Sequence, residues 1–138
     1  MIVREALVAD PRVLTPDAPA REAAAVLARP NVESVLVTDG DRLLGCITQA
    51  IVVAAVAEGR DLRTLTARDL ADPDVTTVGP DTPLDEALHV MAEHGLERLA
   101  VTEDGRLLGV LPREPVVRRL SEGEQLADPG EAGAQQQV

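Results

Sequence analysis

Nothing in the histidines or the cysteine of this chain is spaced for catalysis. His89 and His94 stand five positions apart, which keeps them off a shared i, i+4 helical face and argues against a metal pair. Cys46 is the single cysteine, and with apolar neighbours it reads as a small buried hydrophobe. No Ser-His-Asp, Cys-His or H-E-x-x-H arrangement occurs, nor a glycine-rich phosphate loop, so the sequence predicts no enzyme. What remains is binding chemistry. Arg98, Arg106, Arg113, Arg118 and Arg119 cluster in the second half. A guanidinium can meet an anionic oxygen pair with two parallel hydrogen bonds. Glu97, Glu103 and Glu114 lie close in sequence and offer those arginines a plainer use as solvated ion pairs. Arg113 stands out among them because it follows the end of an apolar run. Thr48 ends a similar run, and its hydroxyl can cap the following helix, reach a ligand, or do both.

The elements that position these residues come twice. An offset of 64 positions carries Pro16-Asp17 onto Pro80-Asp81 and Pro19 onto Pro83. The same offset carries Glu22-Ala23 onto Glu86-Ala87 and Arg42-Leu43-Leu44-Gly45 onto Arg106-Leu107-Leu108-Gly109, with no gap from residues 3–56 onto 67–120. Such self-similarity means two copies of one supersecondary unit. In the second copy Thr76, Thr77 and Val78 read as a short strand. Thr82 and Pro83 suit the N-cap and first position of a helix. Leu84, Ala87, Leu88 and Met91 give that helix one apolar face, and Gly95 ends it. Two apolar strands, residues 99–101 and 107–111, follow around Asp104-Gly105, and a helix over 114–120 closes the unit. The first copy follows suit, with strands at 35–37 and 43–47 and a last helix at 49–58. Its turn glycine, Gly40, sits one position earlier, which predicts hairpins of equal length and different turn type.

The boundaries predicted are residues 1–64 for the first repeat with its linker, 65–121 for the second, and 122–138 for a disordered acidic tail. The fold class is mixed α and β: two β-α-β-β-α repeats packed about a pseudo-two-fold axis. The chain has no aromatic residue, so a half of about 55 residues would bury only ~60% of its unfolded surface and could hardly stand alone. The almost continuously apolar strands suit a sheet covered on both faces, one by helices and the other by the twin repeat. That packing leaves a cleft beside each copy. A net charge of −11 argues against nucleic acid and anionic membranes as partners. No apolar run reaches about 18 residues, and no signal-peptide pattern opens the chain, so a cytoplasmic location is expected.

The ordered series Arg68-Asp69-Leu70, Pro80 to Ala87, Met91 to Val101 and Glu103 to Gly109, present twice, resembles the CBS motif. Two in tandem resemble a Bateman module. The resemblance implies a regulatory binding module holding an adenosine-type ligand such as AMP, ATP or S-adenosylmethionine, pairing as a homodimer and reporting occupancy to a separate protein. It also implies a site. Family members that hold such ligands typically carry a Gly-h-h-Thr/Ser-x-x-Asp run, where the hydroxyl serves a phosphate and the carboxylate accepts both ribose hydroxyls. The backbone at Thr76 and Thr77 would line the base. Here Gly45 leads to Thr48 and then to Ile51, while Gly109 leads to Pro112 and then to Pro115. Both carboxylates are missing, and the second hydroxyl with them. At ~1.5–3 kcal/mol for a charged hydrogen bond, each loss weakens such a ligand by roughly 10–150-fold. Arg98 and Arg113 could compensate at a phosphate, and Ile51→Asp is expected to restore affinity. Against this stands a second reading, a degenerate pair serving as a ligand-free interaction or dimerisation scaffold.

Overall fold

A computed structural model describes residues 1–9, 12–114 and 117–118. The expected disordered tail lies outside the described residues. So does most of the closing helix, of which residues 113, 114, 117 and 118 are helical. After a 3-10 turn at Val3–Glu5, the chain runs β1 (Val13–Leu14), α1 (Ala20–Leu27), β2 (Ser34–Asp39), β3 (Arg42–Thr48) and α2 (Gln49–Ala57). The second repeat runs α3 (Ala67–Leu70), β4 (Thr77–Val78), α4 (Leu84–His94), β5 (Arg98–Glu103) and β6 (Arg106–Pro112). The strand order is β1-β2-β3-β6-β5-β4, the two halves meeting where Arg42 of β3 pairs with Arg106 of β6.

Side chains alternate across each strand, and the alternation assigns them to three cores. Val35, Val37 and Ile47 face α1, α2 and α3 in one cluster. Leu99, Val101 and Leu111 face α4 in another. Leu36, Ala100 and Val110 point the other way and meet across the repeats, joined by Leu43, Cys46 and Leu107. The strands are apolar on both faces because both faces are covered.

The repeat symmetry extends to fine detail. Each β hairpin shifts register at the same place, between Val37 and Thr38 and between Val101 and Thr102. Asn31 and Gly95 occupy one repeat position, and both adopt left-handed backbone, φ +63° and +65°. The hairpins part company where expected. Asp104 and Gly105 are both left-handed, as a type I′ turn requires. In the first hairpin only Gly40 is.

The sequence did not announce that the repeats exchange their leading segments. Residues 1–8 lie against the second repeat, and residues 65–72 lie against the first. Ile2 bridges Pro83 as Thr66 bridges Pro19, and Val8 bridges Val110 as Asp72 bridges Cys46. Each pair maps onto the other at the offset of 64. Val3 of the first segment is fully buried in the second repeat's core. The exchange also explains a correction at the helix starts. Pro83, rather than Thr82, is the N-cap of α4, and it makes no side-chain cap. The first amide, Leu84 N–H, instead donates to Met1 O at 3.1 Å, and Ala20 N–H of α1 donates to Leu65 O at 2.9 Å. The orphan donors of these helices are satisfied by the strap from the other repeat. Thr66 and Asp69 hold the second strap's own turn as a capping box. Among the described residues, no helix is long and apolar enough to cross a membrane.

Candidate functional site

Where β3 gives way to α2, Thr48 takes extended backbone and its Oγ1 accepts the Ile51 N–H at 3.2 Å. The capping role read from sequence is therefore present. It leaves the hydroxyl proton free to be donated elsewhere, because a hydroxyl both accepts and donates. Thr48 also lines a cavity of about 160 Å³ between the repeats. Its apolar floor is Leu36, Cys46, Val75, Ala100 and Val110, an extension of the inter-repeat core, together with Leu96 from the edge of the second repeat's core. Its polar groups are Ser34, Thr48, Asp74, Thr76 and Arg98.

Three of the five residues singled out from sequence, Thr48, Thr76 and Arg98, thus come together, although they lie as much as 50 positions apart. Arg98 opens β5 and is half-buried, its Nε enclosed by protein. The other two stand elsewhere. Thr76, expected to open the strand, lies just before β4, and Thr77, the first residue of β4, points away from the cavity and lines a separate hollow with Leu43, Leu44 and Thr102. Arg113 lies outside the cavity beside Glu97. Its Nη1 sits 3.6 Å from Glu97 Oε1, and its backbone N–H donates to Glu97 O at 2.8 Å. The plainer ion-pair reading describes it.

Ile51 differs from expectation too. Its side chain is half-buried against the core of the first repeat, among the residues packed on Val35, Ile47 and Ala55, and it is not part of the cavity wall. The turn that caps α2 swings position 51 inward.

Sequence reasoning passed over Ser34 and Asp74, and it read Cys46 as a small buried hydrophobe, where the structure leaves it half-buried on the cavity wall. The offset of 64 held a signal for Ser34 and Cys46. It pairs Ser34 with Arg98, Leu36 with Ala100 and Cys46 with Val110, and all six residues line this one cavity, which therefore lies close to the pseudo-two-fold axis. At the twin position Pro112 stands for Thr48 and Arg12 for Thr76. A smaller hollow of about 40 Å³ shares Ser34, Leu96 and Arg98 with the cavity and adds Arg12, Asn31, Glu33 and Glu97. Cys46 is half-buried, and its thiol is pushed above the usual range by burial first and then by the negative charges of Asp72 and Asp74. At neutral pH it is a protonated, weakly polar wall atom. Among the described residues, no group of three or more His, Cys, Asp or Glu is placed to hold a metal ion.

The CBS domain family model matches residues 3–58 and 67–122. Hypoxic response protein 1 of Mycobacterium tuberculosis is 36% identical over 85 residues, a stretch covering 61% of this chain and 59% of that protein's length. The crystal structure of hypoxic response protein I with two coordinated zinc ions superposes at a TM-score of 0.71, with 27% identity over 87% of this chain and 98% of that one. The crystal structure of CBSX2 in complex with AMP gives a TM-score of 0.71 and 26% identity, covering 89% and 98% of the two chains. The CBS domain pair of MJ0100, in complex with 5′-methylthioadenosine and S-adenosyl-L-methionine, gives 0.66 and 24%, covering 90% and 98%, and shares the fold. With 112 of its 138 residues inside two matched copies whose strands, helices and exchanged straps obey one symmetry, this chain belongs to the CBS domain family, as a tandem pair of the Bateman type.

Proposed function

We propose that this tandem pair is a regulatory module that binds an adenosine-type ligand in the cavity between its repeats and signals occupancy to a separate protein. The observation that carries the reading is the meeting of Thr48, Thr76 and Arg98 over an apolar floor. A flat aromatic base suits that floor, and the hydroxyls and the guanidinium suit the polar remainder of a nucleoside or its phosphate. The cavity is smaller than the roughly 300–1,000 Å³ common for drug-sized ligands, so part of the ligand would lie in the mouth. The side chain at 51 gives no carboxylate there, which supports weak binding. The test is a thermal titration with adenosine, AMP, ATP and S-adenosylmethionine. A ligand at a hundred times its dissociation constant adds about 2.7 kcal/mol, a shift of several degrees. Arg98→Ala and Thr48→Ala are expected to shrink that shift at fixed ligand. A flat melting temperature with every compound at about 5 mM, or full shifts in both variants, would sink the proposal.

Self-association has its own support. α2 carries no charged residue along nine positions, and Val53 and Val56 are 66% and 57% exposed. Two copies of a chain with net charge −11 repel each other broadly, and an uncharged helix is where they can approach. The proposed occupant of this face is α2 of a second copy, as in a homodimer. Val53→Glu should then lower the mass seen by light scattering from dimer to monomer, with the fold intact by circular dichroism. Equal masses for both proteins would exclude α2 as the contact.

A further inference from the structure

We infer that the cavity selects its ligand by charge, taking a neutral or cationic nucleoside-sized molecule and turning away polyphosphates, with Asp74 setting the preference. The inference rests on the ligand-binding reading above. It starts from the balance of charge around the site. Arg98 is the one cation on the cavity wall among the described residues, and Asp74 stands on the same wall. The smaller hollow that shares Arg98 adds Arg12, together with Glu33 and Glu97. With Glu97 paired to Arg113, the two arginines face two carboxylates, Asp74 and Glu33, so the site has no excess of positive charge to hold a polyphosphate, within a chain whose net charge is −11. Arg113, which would have tipped the balance toward phosphate, lies outside and faces Glu97.

Asp74 is well placed for the role. It belongs to the stretch entering β4, one residue from Val75 on the floor and two from Thr76 on the rim. Its backbone N–H donates to Asp72 Oδ1 at 2.9 Å, which fixes the segment and brings a second carboxylate close. Burial first, and then the negative charges of Asp72 and Asp74, push the Cys46 thiol up, in keeping with two carboxylates lying near the floor. A carboxylate accepts hydrogen bonds from hydroxyl or amine groups and repels phosphate oxygens. Besides the arginines, the N-terminus of α2 beside Thr48 favours an anion, but its Ile51 N–H is already taken by Thr48.

The experiment is calorimetry on the full chain with adenosine, 5′-methylthioadenosine and ATP at low and at high salt, for the native protein and for Asp74→Asn. Native protein should bind either uncharged nucleoside at least tenfold more tightly than ATP at low salt. The gap should narrow at high salt, because an exposed carboxylate is screened. Asp74→Asn should shrink the low-salt gap by about tenfold, the size expected when one charge stops opposing several at close range. An unchanged melting temperature would show that the variant is folded, as the exposed position predicts. ATP binding as tightly as the nucleosides in native protein, or an identical gap in Asp74→Asn, would overturn the inference while leaving the ligand-binding reading in place. Silence from all three compounds in both proteins would overturn both.

Discussion

Alanine at Gly45 or at Gly109 is expected to destabilise the protein by about 1–3 kcal/mol or more each, a fall in melting temperature of several degrees per site. These glycines hold equivalent places in β3 and β6, where the exchanged segment of the other repeat crosses the strand. A Cβ at Gly45 would lie 2.5 Å from Asp72 O and 2.8 Å from Asp72 C. One at Gly109 would lie 2.6 Å from Val8 O and 2.8 Å from Leu7 Cδ1. The nearest atoms are backbone held by paired hydrogen bonds, Cys46 N–H to Asp72 O and Val110 N–H to Val8 O, so neither can yield cheaply. Gly79→Ala is the control. Its Cβ would meet nothing nearer than Thr82 Oγ1 at 4.0 Å, and its effect should stay within about 0.5 kcal/mol. Thermal melts of the three variants decide the matter. A Gly45→Ala protein as stable as Gly79→Ala would mean that the segments do not cross there.

Ile51→Asp carries the other large effect, and its sign reverses what the family pattern suggests. By analogy, an aspartate at this position would grip a ribose and raise affinity. In the structure Ile51 packs on the first repeat's core beneath α2. Aspartate would remove apolar contacts at a half-buried position, at about 1–3 kcal/mol net, because a carboxylate at the third position of α2 recovers part of the loss by closing a capping box on Thr48 as Asp69 does on Thr66. Ile51→Val, which trims one methylene, should cost about 0.5–1.5 kcal/mol. Denaturant titrations of both variants, followed by ligand calorimetry, give the answer. An Ile51→Asp protein of native stability with tighter adenosine binding would place position 51 in the cavity after all.

The fold was largely legible because its signals are local and doubled. Arg-Leu-Leu-Gly and Pro-Asp-x-Pro recur at a fixed offset, and apolar periodicity marks each strand and helix. The turn chemistry of Gly40 and Asp104-Gly105 was readable residue by residue. The exchange of straps was not. It lives in backbone hydrogen bonds such as Ala67 N–H to Ala18 O, to which side-chain patterns are blind. A glycine in a strand hinted at close approach but could not say by what. The site was half legible. Thr48 and Arg98 were visible as types at strand ends. Whether a side chain faces a cavity or a core depends on a rotation of about 100° per helical residue, and that is why Ile51 was misplaced. Asp74 escaped notice because it belongs to no periodic element, while Arg113 drew attention by its charge and its place after an apolar run, neither of which tells which way the side chain points.

Because each repeat lends its opening residues to the other, neither half owns everything it needs to close. A polypeptide holding a single repeat would leave Val110 or Cys46 without a backbone partner and one helix with an unmet first amide. Such a half could complete itself only by borrowing from another molecule. Symmetry of this kind is what results when two mutually dependent subunits are fused end to end, and it makes the duplicated chain one indivisible cooperative unit.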